Sequence, residues 1–141
     1  PLPAGAQALG RVAAMKWRIR GNSVRLRVTQ TEVERIGAGE AVTETTDFGG
    51  GHRLVCRLAV DSTVKTIGAA YADGVIGVSL PSGDAERWAG TELVSLSGEQ
   101  AAEEGGVLSI LVEKDFQCLA PREGEDESDM FPHPEAATAR C

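Results

Sequence analysis

Six cations and no acid lie between Arg11 and Arg27, and five of them occupy alternate positions in two short segments: Lys16, Arg18 and Arg20, then Arg25 and Arg27. Guanidinium groups are planar forks that match carboxylate and phosphate oxygens, so the chemistry on offer is recognition of an anion. Arg53 and Arg57 extend the set further along the chain. Glu113 and Asp115 show the same alternation with the opposite sign. Two such carboxylates can hold a hard cation such as Mg²⁺. They fall short of a full metal-ligand pattern, and salt bridges to Arg53 or Arg57 are their other use. His52 and His133 are the only imidazoles, and neither has a Ser, Cys or Asp at triad spacing. Cys56, Cys118 and Cys141 match no zinc or redox spacing, which suits a reduced, cytoplasmic setting.

The elements that must position the cations begin with a hairpin. Lys16–Arg20 and Ser23–Val28 both alternate strictly around Gly21-Asn22, a two-residue turn signal. That turn pairs Arg20 with Ser23, Arg18 with Arg25, and Lys16 with Arg27. Trp17, Ile19, Val24, Leu26 and Val28 then share one face, and the five cations share the other. Like charges directly opposed across a strand pair cost up to about 1 kcal/mol per pair, so something anionic should face them. In His52–Val60 the apolar parity is Leu54, Cys56, Leu58 and Val60, with Arg53 and Arg57 opposite; Leu108, Ile110 and Val112 mark the apolar face of the last strand. Glu44 falls on an apolar parity beside Cys56, which suggests a register slip there.

The remaining elements follow from turn and cap signals. Thr29 can cap a helix over Gln30–Ile36 and Ser82 one over Gly83–Ala89, while Asp73-Gly74 forms a second two-residue turn. Strands are expected at Ala41–Phe48, Lys65–Ala72, Val75–Leu80, Glu92–Ser97 and Val107–Lys114. The two turns lie 52 residues apart, and the order of turn, strand, helix and strand recurs at that offset, so residues 16–60 and 68–112 read as two copies of a ββαββ unit. At 141 residues there is room for one domain. The expected fold is therefore α+β: an antiparallel, strongly curved sheet or eight-stranded barrel, its apolar faces outward to two short helices and its polar faces lining an interior that can hold a small ligand. Trp17 and Trp88 are expected to anchor the helices to the sheet.

Charge is unevenly spread: residues 1–70 carry ten Lys/Arg against six Asp/Glu, and residues 71–141 carry four against fifteen, for a net charge of −7. The overall balance lacks the basic footprint of a duplex nucleic-acid binder. No run approaches the roughly 20 apolar residues of a membrane-spanning helix. Residues 1–14 read as an extension ahead of a natural start at Met15, residues 15–119 as the domain, and residues 120–141 as an acidic, proline-bearing tail. The basic face could be a solvated one neutralised by Asp47, Glu113, Asp115 and that tail; the tail could lie over it as a lid, or the face could dock an acidic peptide segment of a partner.

The repeated topology, the alternating arginines and Glu113-Lys114-Asp115 resemble the triphosphate tunnel (CYTH) superfamily. The resemblance implies inward basic residues holding polyphosphate and inward carboxylates holding a divalent metal. Where that superfamily carries Glu-x-Glu-x-Lys on its first strand, this chain has Lys16-Trp17-Arg18-Ile19-Arg20, a departure that bears on the metal site and on hydrolysis. The segments MKWRIRGNSVRLRVTQTEVE and LVEKDFQCLAPREGEDESDMFPHP also resemble a family of small uncharacterised bacterial proteins. The expected function is binding of a small anionic, phosphate-containing ligand by Lys16, Arg18, Arg20, Arg25, Arg27, Arg53 and Arg57. The alternatives are a Mg²⁺-dependent triphosphate or polyphosphate hydrolase, with Glu113 and Asp115 on the metal, and a non-catalytic interaction domain.

Overall fold

Gly21, at φ 54°, turns Lys16–Arg20 (β1) back onto Ser23–Val28 (β2), and the register is the one a two-residue turn requires: Lys16 opposite Arg27, Arg18 opposite Arg25, Arg20 opposite Ser23. This computed structural model describes residues 14–116 and 129–132. After β2, Thr29 caps α1 (Gln30–Gly37): its side chain accepts from the Glu32 N–H while Glu32 accepts from the Thr29 N–H, a reciprocal capping box. Then follow β3 (Val42–Gly49), β4 (His52–Val60), β5 (Gly68–Ala72), β6 (Val75–Leu80), α2 (Ser82–Gly90), β7 (Ser95–Ala101), a short turn at Glu103–Gly105, and β8 (Val107–Lys114). The β5–β6 turn places Asp73 and Gly74 at φ 51° and 78°, the left-handed pair that matches strand twist. Ser82 is not the cap of α2. Pro81 holds that position, and its carbonyl accepts from Ala85 N–H at 2.9 Å.

The eight strands form two four-stranded sheets, β1-β2-β8-β7 and β3-β4-β6-β5. Outer pairs are antiparallel, but the inner pairs β2–β8 and β4–β6 are parallel, so each sheet is mixed where antiparallel pairing was expected. Parallel neighbours need a long connection. Between β2 and β8 the chain lays down α1, the whole second sheet, α2 and β7. Among the described residues no ladder joins β1 to β3 or β5 to β7, and the expected closed barrel does not form. At the β5/β7 gap a side chain stands in for a ladder: Gln100 Nε2 donates to Ala69 O at 2.7 Å, and Ala69 N–H donates to Gln100 Oε1 at 2.8 Å.

Leu26, Val28, Ile110 and Val112 of the first sheet join Leu58, Val78 and Leu80 of the second and Val33, Ile36, Ala85 and Trp88 of the helices in one buried cluster. The apolar faces therefore point at each other, not outward as in the expected barrel. Burying them contributes roughly 25 cal/mol per Å². Turning them outward would forgo most of that and crowd like charges inside. The helices follow β2 and β6 and pack together, a Cβ on Gly37 falling 2.7 Å from that of Ala89, so they close one end of the sandwich. Trp88, fully buried, fixes α2 by donating Nε1–H to Val94 O at 2.9 Å. The four hairpin turns lie at the other end. No helix among the described residues is long and apolar enough to cross a membrane.

Gly98 in β7 is held to glycine by its neighbour, because a Cβ there would overlap the buried Ile67 side chain. Gly98→Ala is expected to cost about 1–3 kcal/mol as overpacking. The shift in urea midpoint measures it, and adding Ile67→Val should recover part of the loss.

Candidate functional site

Outward parity places Lys16, Arg18, Arg20, Arg25 and Arg27 together on the outer face of the first sheet. The parallel partner β8 brings Glu113 opposite Arg27. One carboxylate oxygen, Glu113 Oε1, accepts from Arg25 Nε at 2.9 Å, Arg25 Nη2 at 2.5 Å and Arg27 Nε at 2.9 Å. Asp115, 4% exposed, forms an ion pair with Lys16 at 3.5 Å between Nζ and Oδ2, and that oxygen has no hydrogen bond among the described residues. Both acids thus neutralise cations, but those of β1 and β2 and not Arg53 or Arg57. Nor do they form part of a larger ligand set: among the described residues no three His, Cys, Asp or Glu side chains gather to hold a metal ion.

Arg18 and Arg20 have no ion pair among the described residues. Lys16, Trp17, Arg18, Arg25 and Arg27 enclose a small pocket of about 190 Å³. Next to it a shallow trough of about 660 Å³ crosses β2, β8 and β7, lined by Ser23, Arg25, Ser97, Glu99, Ser109 and Leu111.

The seven cations singled out from sequence do not converge. Arg53 and Arg57 lie on the outer face of the second sheet, opposite in direction because the apolar faces meet between the sheets. Arg53 is 4.0 Å from Asp47, both well exposed. Arg57 pairs with Gly77 and borders a separate trough of about 520 Å³ with Ala59, Asp61, Ala70 and Ser79. His52 is exposed and stands opposite Gly49 at the β3–β4 turn.

The described part of the acidic C-terminal segment docks on α1 and β8. Asp129 Oδ1 accepts from Thr31 N–H at 3.1 Å and Thr31 Oγ1 at 2.8 Å, and its carbonyl accepts from Gln30 N–H, placing a negative charge at the positive end of α1. Met130 is buried, and Phe131 donates its N–H to Asp115 O at 2.7 Å. The Phe131 ring lies 5.4 Å from Lys114 Nζ. Lys114 was not singled out from sequence, although its parity with Ile110 and Val112 turns it inward; it is 7% exposed and donates to Thr91 O at 2.8 Å. Burial lowers its pKa, and Glu92 partly opposes the shift. The expectations for residues 1–13, Cys118, Cys141, His133 and the acids at 123–127 and 135 lie outside the described residues.

Glu44 is in register with Cys56, and pairing is regular from Val42 to Asp47; the irregularity falls at Asp47/Gly49. No slip occurs, so Glu44 faces the apolar side. Burial raises its pKa above the usual carboxylate value, and the charge of Glu32 adds to the rise. Half-buried Cys56 is raised as well, by burial and then by Glu44, which keeps the thiol protonated and unreactive.

Residues 15–135 match the model of a Family of unknown function (DUF7009), and the chain belongs to that family. No curated protein and no solved structure matches it.

Removing the shared acceptor should be costly: Glu113→Gln leaves Arg25 and Arg27 facing each other's charge and is expected to lose about 1–2 kcal/mol in urea unfolding, the half-exposed arginines moderating the effect. Asp47→Asn, at an exposed and distant pair, should change stability by less than about 0.5 kcal/mol. Because folding raises the Glu44 pKa, the folded state favours its protonated form. That contribution is present below the ordinary glutamate value and is lost as pH rises through the raised one. Glu44→Gln should therefore melt above the parent near neutral pH and alongside it in acid, as thermal unfolding across pH would record.

Proposed function

We propose that the outer face of the first sheet binds a small anionic, phosphate-containing ligand, with Arg18, Arg20 and Arg25 as the forks that grip its oxygens and Lys16 and Arg27 as flanking charges. The observation that carries this reading is Arg18 standing directly opposite Arg25 at the 190 Å³ pocket while Arg18 and Arg20 lack an ion pair among the described residues. A bound anion relieves the repulsion between opposed cations. Glu113 holds Arg25 and Arg27 in place beforehand, which lowers the ordering cost of binding. The hydroxyls of Ser23, Ser97 and Ser109 border the same face and are small enough to leave it open.

Binding is favoured over hydrolysis because the two carboxylates nearest the arginines are already engaged, Glu113 by two guanidinium groups and Asp115 by Lys16. A tunnel of the triphosphate type needs its basic side chains inside, whereas here the inward residues are mostly apolar and the inward cation Lys114 is hydrogen-bonded to Thr91 O. We also read the chain as two copies of one ββαββ unit. Support comes from the order β1-β2-α1-β3-β4 followed by β5-β6-α2-β7-β8, and from the exchange of hairpins that maps one sheet's strand order onto the other's reversed.

Calorimetry with tripolyphosphate and inorganic phosphate at low salt tests the binding site. Arg18→Ala and Arg25→Ala should each weaken tripolyphosphate about tenfold, equivalent to about 1.4 kcal/mol. Arg57→Ala, on the opposite face, should leave it unchanged, and affinity should fall as salt rises. Equal losses at Arg57 and Arg18, or no heat with either anion, would defeat the reading.

A further inference from the structure

Toward the end that carries the hairpin turns, the space between the sheets does not close. A cavity of about 470 Å³ opens on the β5/β7 side, lined chiefly by Ile19, Val24, Leu54, Tyr71, Ile76 and Leu108. A second, of about 510 Å³, opens between β1 and β3. Ile19, Leu54 and Ile76 border both, so the two cavities adjoin between the sheets. The size and the apolar lining with few polar groups suit a small organic ligand. Large apolar side chains at its rim stand open, Ile19 58% and Tyr71 70% exposed.

The two mouths differ. The Gln100 side chain spans the gap on the β5/β7 side, but nothing among the described residues joins β1 to β3. There the lining adds Met15, Trp17, Thr46, Cys56 and Glu44. Glu44 has no hydrogen bond or ion pair among the described residues. The cation on the same wall, Lys16, contributes its stem, and its amino group is turned to Asp115 on the other face of the strand. A second carboxylate, Glu32, adds negative potential while its own oxygens are engaged by Thr29 and by Met15 N–H at 3.0 Å. Trp17 lines this mouth as well; its Nε1–H is buried without an acceptor among the described residues and, as a donor, does not serve an ammonium, so the π face of the ring is the part that meets a cation.

A carboxylate lacking a counter-ion, an indole beside it and an apolar cleft behind it are complementary to a positive charge on a hydrophobic body. We propose that the cleft between the sheets binds a hydrophobic amine, its ammonium against Glu44 and Trp17 and its apolar body between Ile19, Leu54 and Ile76. An anionic amphiphile would meet Glu44 and Glu32 as like charges. A neutral one would leave Glu44, an exposed side chain, with water as its only partner. This site lies on the face of β1 opposite the arginines, since the pleat of the strand sends Ile19 inward and Arg18 and Arg20 outward, and this mouth and the arginine pocket share only Lys16 and Trp17.

Octylamine, octanol and octanoate, matched in chain length, provide the probes. Calorimetry should find octylamine binding at least about tenfold tighter than octanol, and octanoate weaker than both. Glu44→Gln should bring octylamine to the level of octanol and leave octanol unchanged. In the parent protein, octylamine should shift the indole N–H resonance of Trp17 and spare that of Trp88, a readout that needs no variant at Glu44. Octanol or octanoate matching octylamine, full affinity in Glu44→Gln, or a response at Trp88 without one at Trp17 would overturn the proposal.

Discussion

Each sheet of this protein has one apolar face, and neither helix is long enough to cover it: α1 has eight residues and α2 nine. The faces must therefore cover each other. That single constraint explains why Val24, Leu26 and Val28 lie buried while Arg25 and Arg27, one residue away, look outward. It also explains why α1 and α2 serve as a plug at one end and not as an outer layer. They bury only Val33, Ile36, Ala85 and Trp88, a stripe suited to closing the end of a sandwich.

The cationic face is a by-product of this arrangement that the protein then has to stabilise. Five cations on two strands would repel one another, and the relief arrives through the parallel pairing of β2 with β8. Glu113 comes from a position 88 residues away from Arg25. Its one oxygen meets two guanidinium groups, and Asp115 reaches Lys16 from the residue after the same strand. The outer row is thereby anchored at Lys16, Arg25 and Arg27 and left uncompensated at Arg18 and Arg20 among the described residues. Charge is balanced near the helical end and unbalanced near the turns.

Which parts of this were legible in the sequence follows from the range of the interactions involved. The register of β1 on β2 is readable because a two-residue turn allows only one, and the Thr29 cap because its donors and acceptors lie within three residues. The parallel partners are not readable in the same way. No turn encodes them, and β2 could have found any strand of suitable parity. That is why the alternation of Glu113 and Asp115 pointed to neutralisation but left open whether the hairpin cations or Arg53 and Arg57 were the partners. Parity likewise tells that Arg53 and Arg57 share a face of β4, while only the assignment of β4 to the second sheet tells that this face points away from Arg18. At Glu44 the local pattern was sound and its interpretation was not. A carboxylate on an apolar parity suggested a slip, yet the ladder with Cys56 is regular and the bulge sits beyond Asp47.

The pleat of β1 separates two chemistries within five residues. Lys16, Arg18 and Arg20 project to the face where acids are scarce, and Trp17 and Ile19 project to the cleft where the unpaired charge is the carboxylate of Glu44. An edge strand suits this double role, since its free side gives access to both faces. A central strand such as β2 has neighbours on either side and a fully buried inner row at Leu26 and Val28. The gap between β1 and β3 then has a physical logic. Closing it with a ladder would join the two sheets along one side and remove two exposed edges, but it would also seal Glu44 and the indole of Trp17 away from any ligand. On the other side of the sandwich, where no charged group lines the cleft, Gln100 bridges the gap instead.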